Sequence, residues 1–362
     1  MSVEKIASRI IDKWLRKGNM ARCMRDILPH SGLSLKERER VARIVHDIIR
    51  YKRRYDAILQ IHGLKKTGRN YVMASLKKIG GNVDDRSIEI RESMSKDVAR
   101  AVEKYPEFLK IINLEPDTVL CTNFIKTTRK ALISYLQREG FSAREYLPES
   151  AVITESSGRY SKAIKEGLAH VQDASSQMVA KITGYYGDRI LDYCAGSGGK
   201  SLAIASLYKN KKELHAYDIN KEKLRALRNR MERHGAIINI HFSPPVDLYD
   251  VVLVDAPCSG IGAASRNPEA KYGSGFEKFK SLQMEILENA KNNVKERGIL
   301  IYVVCSFSLE ETVEVIGEFL ENNSEFEIEE IRVEYPQYFK KVEIGGFITL
   351  GDILYMAVLR KL

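Results

Sequence analysis

The sequence predicts an α/β protein with a doubly wound, mostly parallel sheet, an all-helical amino-terminal domain and a small α+β middle region. Three observations support this fold. Short aliphatic strands alternate with helical stretches in the carboxyl-terminal half, apolar residues recur at helical spacing near the amino terminus, and a mixed pattern lies between them. Continuous apolar strands separated by helices are typical of a parallel sheet covered on both faces.

The sheet belongs to the third predicted domain, residues 166–362. Its strands are expected at Ile190–Asp192, Leu214–Asp218, Ile237–Ile240, Val251–Asp255 and Ile299–Cys305. Helices are expected at Ser201–Tyr208, Lys221–His234 and Glu277–Val294. The apolar runs Phe347–Thr349 and Leu354–Leu359 are expected to add an antiparallel edge.

The first predicted domain, residues 1–85, is helical. Apolar residues recur at helical spacing along Val41–Ile49, and Ser34 followed by Glu37 is typical of a capping box. Gly80–Asp85 is predicted to be a linker, because paired glycines and paired aspartates favour a break in regular structure.

Residues 86–165 form the predicted middle region. Thr118–Asn123 suits a strand. Thr127 is expected to cap a helix over Thr128–Glu139, which closes at Gly140.

Composition favours a cytoplasmic protein with a polyanionic partner. The chain has 362 residues, 44% of them hydrophobic, a formal net charge of +10 and five cysteines. No apolar run approaches the ~18 residues of a membrane-spanning helix, and the amphipathic opening lacks the apolar block of a secretory signal. The odd, scattered cysteines argue against a disulfide framework, and the lack of a CxxC pair argues against zinc. Reduced thiols and no metal are therefore expected.

Two basic clusters, Arg50–Arg54 and Lys126–Lys130, are candidates for contacts with nucleic acid. A solvated helix face explains such clusters about as well. Both interpretations stay open at this point.

A glycine-rich loop follows the first strand of the predicted sheet. It reads Asp192-Tyr193-Cys194-Ala195-Gly196-Ser197-Gly198-Gly199-Lys200-Ser201. Its glycines let the backbone turn tightly and approach a ligand, and ligands of such sheets bind beyond the carboxyl ends of the strands. The next strand ends in Asp218, whose carboxylate can accept hydrogen bonds from both ribose hydroxyls of an adenosine-containing ligand.

Three ligands compete for this loop. A nicotinamide dinucleotide favours G-x-G-x-x-G, but Ser201 stands at the third glycine position. A P-loop favours G-x-x-x-x-G-K-[ST], which Gly199-Lys200-Ser201 fits, but Cys194 stands at its first glycine. S-adenosylmethionine needs only a glycine-lined bend and an acid for the ribose, and it is preferred here.

Two cysteines lie at the same predicted edge of the sheet. Cys258 follows the fourth strand in Asp255-Ala256-Pro257-Cys258-Ser259-Gly260, and Cys305 ends the fifth strand. Either cysteine considered alone is best interpreted as a buried residue of the core. Two thiols at the ligand edge of one sheet instead favour nucleophilic chemistry.

Methylation of cytosine at carbon 5 explains a pair of thiols. Carbon 5 becomes reactive only after a thiolate has added to carbon 6, and Asp255 can support that addition by a hydrogen bond near ring nitrogen 3. The carbon-5 proton must then leave and the thiol must be eliminated, which gives a second group a role. A cation favours the thiolate, and Lys200 is a candidate.

These motifs closely resemble the Sun family of RNA 5-methylcytosine methyltransferases. The resemblance is carried by the glycine loop through Lys200 and by Gln172–Gln177, Asp218, Asp255–Gly260, Arg266–Lys271 with Gln283, and Tyr302–Ile316 around Cys305. Leu120–Gly140 resembles the segment that precedes the catalytic domain in that family. Val41–Leu59 is similar to the helical domain of the antitermination factor NusB.

The resemblance implies a Rossmann-like fold that uses S-adenosylmethionine. It implies that Cys305 is the nucleophile and that Cys258 assists product release. It also implies a cofactor site formed by Cys194, Ala195, Gly196, Ser197, Gly198, Gly199, Lys200, Asp218 and Asp255. Chemistry alone does not choose between the thiols, since DNA cytosine methylases use a Pro-Cys thiol, which here is Cys258.

The chain departs from the family pattern in four places. Gly196-Ser197 stand where alanine-proline is usual, and Val304 stands where threonine is usual. Phe242–Val246 lacks the acidic residue that normally contacts the cofactor adenine, so backbone groups are expected to replace it. Gly346–Tyr355 lacks the usual Asp-Gly-Phe-Phe, which puts substrate positioning there in doubt.

The sequence therefore predicts methyl transfer from S-adenosylmethionine to carbon 5 of a cytosine in RNA, through a covalent cysteine adduct. Ribosomal RNA is favoured over transfer RNA because the helical domain resembles that of ribosomal enzymes. One alternative is an RNA-binding or assembly factor that has lost turnover. The other is a P-loop-like nucleotidase, which would leave Cys258 and Cys305 idle.

Overall fold

The computed structural model describes residues 2–81, 83 and 87–362, which form two compact units. The first unit contains the described residues up to Glu115 together with Ala263–Ser274. The second contains Pro116–Gly262 and Gly275–Leu362. The predicted boundary after residue 85 falls inside the first unit and the one after residue 165 falls inside the second, so the three-domain division stays a prediction.

The first unit is helical, as predicted for the amino-terminal domain. Its α-helices are α1 Val3–Lys17, α2 Met20–Ile27, α3 Leu35–Arg50, α4 Lys52–Ile61, α5 Gly68–Ser75, α6 Ile88–Arg91, α7 Lys96–Lys104 and α8 Phe108–Asn113. The capping box of α3 is confirmed: the Ser34 backbone N–H donates to Glu37 Oε2 at 2.8 Å, and the Glu37 N–H donates to Ser34 Oγ at 3.4 Å. In the predicted linker, Gly80 and Gly81 lie outside regular structure, while Asp84 and Asp85 lie outside the described residues.

The segment Ala263–Ser274 is built into the interior of the first unit. Lys271 is fully buried, and its ammonium donates to the Arg50 carbonyl at 3.0 Å and to Asn113 Oδ1 at 2.6 Å. The Arg50 guanidinium donates to the Ser265 carbonyl at 2.7 Å, and the Tyr272 side chain packs on the same apolar core. This segment therefore satisfies backbone groups at the end of α3 that burial would otherwise leave unpaired.

A small antiparallel sheet opens the second unit. Its strands are β1 Thr118–Thr122, β2 Ala143–Glu145, β3 Ala151–Thr154 and β4 Ala169–Val171, in the order β2-β3-β1-β4. Helices α9 Arg129–Arg138 and α10 Lys162–Lys165 accompany it. The predicted cap of α9 was wrong by one residue, because Thr128 rather than Thr127 accepts the hydrogen bond from the Ala131 backbone N–H.

The large sheet of the second unit has the predicted doubly wound order. Its strands are β5 Arg189–Asp192, β6 Glu213–Tyr217, β7 Asn239–His241, β8 Tyr249–Asp255, β9 Val294–Val304, β10 Phe326–Ile328, β11 Phe339–Lys341, β12 Gly346–Ile348 and β13 Leu354–Lys361. The order is β11-β12-β13-β9-β8-β5-β6-β7, with β10 beside β13. Strands β5 to β9 run parallel, and the antiparallel pairing of β13 with β9 and of β12 with β13 confirms the expected edge.

Helices separate the strands of the large sheet, and several predicted boundaries shift. The helices are α11 Ala174–Thr183, α12 Gly199–Leu207, α13 Lys221–His234, α14 Glu277–Ala290 and α15 Val313–Asn322. Strand β7 begins two residues later than predicted, at Asn239. Helix α14 ends at Ala290 instead of Val294, because Val294 already pairs with Tyr249 as the first residue of β9.

The strand order places a crevice at one edge of the large sheet. Strand β5 has β6 on one side and β8 on the other, so the direction in which the sheet grows reverses there. The carboxyl ends of β5, β6, β8 and β9 meet at this edge, where doubly wound sheets bind their ligands. Among the helices of the described residues, none is long and apolar enough to cross a membrane.

Candidate active site at the carboxyl edge of the large sheet

The loop between β5 and α12 depends on its glycines. Gly196 and Gly198 adopt positive φ angles of 55° and 83°. A Cβ on Gly198 would lie 2.1 Å from Leu227 Cδ1 on α13, so this position is closed to any larger residue. The loop is further fixed by the Ala195 N–H, which donates to the Tyr217 carbonyl at 2.9 Å.

Asp218 lies directly beside this loop, as its place after β6 predicts. Its Oδ2 accepts the Gly196 backbone N–H at 2.8 Å, and its Oδ1 accepts the Asn220 N–H at 2.7 Å. These two bonds fix the carboxylate at the strand end. Each oxygen keeps a second lone pair with which it can accept a hydrogen bond from a ligand.

Lys200 and Asp255 form a buried ion pair across the crevice. The Lys200 ammonium lies 2.5 Å from Asp255 Oδ2, and the lysine side chain is 10% exposed. Burial alone would lower the pKa of Lys200, but Asp255, then Asp192 and Cys305, raise that pKa above its ordinary value. Lys200 is thus held by a carboxylate and is not available for a phosphate in the way that a P-loop lysine is.

The structure brings Cys258 and Cys305 together. Their sulfur atoms lie 3.1 Å apart, and both side chains are half-buried. The proximity follows from the pairing of β8 with β9, in which Asp255 lies opposite Val303. The hydrogen bond with Cys305, and then burial, raise the pKa of the Cys258 thiol well above its ordinary value.

The other three cysteines are poor candidates for chemistry. Cys23 and Cys121 are buried, and burial raises the pKa of the Cys121 thiol to about 12. Cys194 belongs to the glycine loop, where burial raises its pKa well above the ordinary value. The family resemblance implies that Cys194 belongs to the cofactor site, which stays a prediction.

Gly262 fixes the backbone next to Cys305. Its N–H donates to the Cys305 carbonyl at 3.0 Å, and its carbonyl accepts the Ile353 N–H at 2.9 Å. A Cβ here would lie 2.1 Å from the Ile353 carbonyl oxygen. The loop that carries Cys258 is therefore tied to the backbone of the loop that carries Cys305.

Sequence reasoning missed two buried carboxylates at this edge. Asp192 accepts a hydrogen bond from Ser201 Oγ at 2.6 Å, while its Oδ1 is buried without a partner. Glu311 is also fully buried and accepts hydrogen bonds from serines on both cysteine loops. Asp192 stood in the glycine-loop sequence and Glu311 in the segment around Cys305, but nothing in either pattern signalled their burial.

The predicted basic clusters are partly used inside their own units. Arg50 is buried, and Lys52 forms an ion pair with Asp56. Lys126 donates to the Arg233 and Glu166 carbonyls, and Arg129 pairs with Glu145. The cluster residues left exposed or half-exposed, with no ion-pair partner among the described residues, are Arg53, Arg54 and Lys130.

In the described part of the chain, no group of three or more His, Cys, Asp or Glu side chains is arranged to hold a metal ion.

Comparison with known proteins finds similar sequences and similar folds. Residues 182–348 match the family model of the 16S rRNA methyltransferase RsmB/F. The probable ribosomal RNA small subunit methyltransferase B of Bacillus subtilis is 31% identical over 245 residues, which cover 63% of this chain and 55% of that protein. The mouse 28S rRNA (cytosine-C(5))-methyltransferase is 30% identical over 244 residues, 60% of this chain and 31% of that protein.

The chain spans about half the length of the curated bacterial relatives it matches. Among solved structures, that of PH0851 superposes with a TM-score of 0.81 at 20% identity, covering 100% of this chain and 99% of that one. At this identity the likeness concerns the fold alone. It extends over both compact units.

The buried Asp192 leads to a prediction about stability. Burial raises the pKa of Asp192 to about 7, whereas an aspartate in an unfolded chain loses its proton near pH 4. Between these values the unfolded chain is ionised while the folded chain holds the proton, so this group contributes stability below about pH 4 and loses it as the pH rises through 7.

The substitution Asp192→Asn removes this titration. The wild type is expected to lose unfolding free energy relative to the variant as the pH rises from 4 to 8. The loss is about 1.4 kcal/mol for each unit by which the pKa of Asp192 in the folded chain exceeds its value in the unfolded chain. Denaturant titrations at four pH values measure it. Asp188→Asn is the control, because that side chain is 86% exposed and its profile should parallel the wild type. Parallel profiles for Asp192→Asn would contradict the prediction.

Proposed function

We propose that the protein transfers a methyl group from S-adenosylmethionine to carbon 5 of a cytosine in RNA, because residues 182–348 match the family model of the 16S rRNA methyltransferase RsmB/F. One observation carries the proposal. Two thiols lie 3.1 Å apart at the ligand edge of the sheet, beside a buried lysine–aspartate pair. The substrate we propose is ribosomal RNA, because the relatives named above are ribosomal RNA enzymes.

The residues at the sheet edge fit S-adenosylmethionine. Gly196 and Gly198 bend the loop Cys194–Lys200 around the end of β5, and Asp218 keeps free lone pairs for the ribose hydroxyls. Ile219, next in the chain, is 88% exposed and offers an apolar surface to a purine ring. When bound, S-adenosylmethionine supplies an electrophilic methyl group. Asp255 is placed by its pairing with Lys200 to close the site on the side of the thiols.

Cys305 is the proposed nucleophile. Cys305 is among the groups that raise the pKa of Lys200, so the Lys200 ammonium lies within electrostatic reach of this sulfur. The hydrogen bond with Cys305, and then burial, raise the pKa of the Cys258 thiol, so Cys258 keeps its proton. This asymmetry supports the order of roles that the family resemblance implies.

Cys305 attacks carbon 6 of the cytosine, and the new sulfur–carbon bond makes carbon 5 electron-rich. Asp255, held by Lys200 at 2.5 Å, is the proposed group that supports this addition by a hydrogen bond near ring nitrogen 3. After methyl transfer the carbon-5 proton passes to a water molecule, the double bond between carbons 5 and 6 forms again, and the electron pair of the bond to carbon 6 returns to the Cys305 sulfur. Cys258, 3.1 Å from the Cys305 sulfur, is the proposed group that assists this release.

The P-loop alternative loses its support from Lys200. A P-loop lysine must reach a phosphate, whereas Lys200 is buried against Asp255. An RNA-binding factor without turnover would share the fold, and the thiol experiment below separates it from the enzyme.

We also propose that residues 1–85 are a NusB-like RNA-binding domain, that residues 86–165 are a linking and RNA-binding subdomain and that residues 166–362 are the catalytic domain. In the first of these, Arg43 and Arg54 are exposed and Arg53 is half-exposed, and none has an ion-pair partner among the described residues. In residues 86–165, Lys130 is likewise exposed. Such side chains can release counterions when they contact phosphates.

Asp218→Ala is expected to weaken S-adenosylmethionine binding at least tenfold. Hydrogen bonds to a charged acceptor are worth about 1.5–3 kcal/mol each, and the variant lacks one or two of them. Isothermal calorimetry measures the affinity. Glu222→Ala, at a side chain that is 78% exposed on α13, is the control and should bind as the wild type does. Unchanged affinity in Asp218→Ala would remove Asp218 from the cofactor site.

The two thiols are expected to give opposite phenotypes. Cys305→Ala should abolish methylation and also the covalent capture of RNA that contains 5-fluorocytosine, in which fluorine replaces the departing proton. Cys258→Ala should still attack and methylate, but it should accumulate a covalent complex with ordinary RNA. A shifted band on a denaturing gel reports each complex.

Cys121→Ala is the matched control for thiol loss, since that cysteine is buried away from the site. The reverse pattern, with Cys258→Ala inert and Cys305→Ala trapped, would exchange the two roles. Full activity in both variants would rule out the proposed mechanism. Binding of RNA and cofactor by the wild type without methylated product would instead favour the silent binding factor.

Replacing Arg43, Arg53 and Arg54 together by alanine should weaken RNA binding. It should also reduce the slope of log affinity against log salt by roughly 0.7–0.9 for each phosphate that the protein no longer neutralises. Point changes suit this test better than deletion of residues 1–85, because the first unit buries Lys271 and Tyr272 against that segment. Lys52→Ala, which breaks only the ion pair with Asp56, is the control. An unchanged slope of log affinity against log salt would show that these arginines do not bind the RNA, and the amino-terminal helices would then have another role.

A further inference from the structure

We propose that Glu311 is a positioning residue that sets the distance and orientation of the Cys258 and Cys305 thiols. The significance of this role for catalysis rests on the proposed function, whereas the positioning itself is a property of the folded chain.

Glu311 is fully buried and accepts hydrogen bonds at both carboxylate oxygens. Its Oε1 accepts the Ser259 backbone N–H at 2.8 Å and Gln283 Nε2 at 3.3 Å. Its Oε2 accepts the hydroxyls of Ser259 at 2.5 Å and Ser306 at 2.6 Å, with Ser308 Oγ at 3.3 Å. A buried carboxylate is tolerated only when donors surround it in this way.

The partners of Glu311 are the residues next to the two cysteines. Ser259 follows Cys258, and Ser306 follows Cys305. Since consecutive Cα atoms are about 3.8 Å apart, a carboxylate that holds Ser259 and Ser306 together also holds the two thiols together. Glu311 thereby holds the two sulfur atoms at the 3.1 Å separation to which the pairing of β8 with β9 brings them.

Two further contacts stiffen this link. Gln283 donates to the Pro257 carbonyl at 2.9 Å as well as to Glu311, so Cys258 is held through the residue before it and the residue after it. The Tyr302 hydroxyl, from β9, donates to the Glu311 carbonyl at 2.8 Å and fixes the segment from which the carboxylate extends. The Glu311 side chain is therefore anchored at its own backbone and at both cysteine loops.

Such fixing matters for a reaction at two adjacent ring atoms. Cys305 must reach carbon 6 of a pyrimidine while Cys258 assists release of the same adduct. Misplacement of a reacting group by about 1 Å can cost on the order of 100-fold in rate. Strand pairing alone places the loops, but it does not fix a cysteine that lies three residues past the end of β8. Glu311 supplies that constraint from the neighbouring loop.

The experiment measures how readily the two thiols pair with each other, using neither RNA nor S-adenosylmethionine. The protein is equilibrated with oxidised and reduced glutathione, which converts two thiols and one glutathione disulfide into one protein disulfide and two glutathione thiols. Mass spectrometry gives the fraction of Cys258–Cys305 disulfide. The equilibrium constant then gives the effective concentration of one thiol toward the other.

Glu311→Ala is expected to lower this effective concentration at least tenfold. Glu311→Gln, which keeps the shape but exchanges an acceptor for a donor, should lie between the alanine variant and the wild type. Glu310→Ala, the adjacent and half-exposed glutamate, is the control and should match the wild type. If Glu311→Ala does not fold by thermal melting, Ser259→Ala with Ser306→Ala removes the two hydroxyl contacts and should give the same reduction.

The proposal would be overturned if the effective concentration were unchanged in folded Glu311→Ala or in the double serine variant. It would also be overturned if the wild-type thiols did not form a disulfide. The proposed function fails separately, if the wild type does not methylate RNA. Where it does methylate, Glu311→Ala should capture 5-fluorocytosine RNA at least tenfold more slowly while binding S-adenosylmethionine as tightly as the wild type. A decrease in cofactor affinity equal to the decrease in rate would indicate general damage and overturn the positioning role.

Discussion

Two parallel strands, β8 and β9, lie side by side in the middle of the large sheet, and each ends one to three residues before a cysteine. The register of this pair brings together two side chains that are 47 residues apart in the chain. The other features of the site adjust that arrangement: Gly262 ties the two loops by their backbones, Glu311 ties them by their serines, and Lys200 places a charge beside them. A shift of one residue between β8 and β9 would separate all of these contacts.

The site also concentrates charge where water is scarce. Asp192, Lys200 and Asp218 are buried at one sheet edge, and Lys200 is paired with the half-buried Asp255. Asp192 has an oxygen without a partner and a raised pKa, which is a cost to the fold. Groups with perturbed pKa values cluster at functional sites because such sites need charges that solvent does not neutralise.

Much of this arrangement was predictable from sequence, because it follows from local patterns. Aliphatic runs located β5, β8 and β9, and the rule that ligands bind at strand carboxyl ends brought Asp218, Cys258 and Cys305 to one edge. Three element boundaries differ from their predicted positions by one to four residues: the helix cap at Thr128, the start of β7 and the end of α14. Such boundaries depend on which hydrogen bonds the rest of the unit offers. Lys126 and Glu311 could not be interpreted correctly, because the burial and partners of a charged side chain are set by residues distant in sequence.

Because Ala263–Ser274 packs within the first unit, the order in which the protein folds during synthesis is constrained. The helices up to Asn113 leave the ribosome early, but Lys271 and Tyr272, which complete their interior, are made only after most of the large sheet. Domains generally fold in the order in which they are synthesised. Here the first unit stays incomplete, with part of its core exposed, until residues 263–274 have been synthesised. A nascent chain that stalls before residue 263 would expose that core, and it would be a natural target for chaperones or proteases.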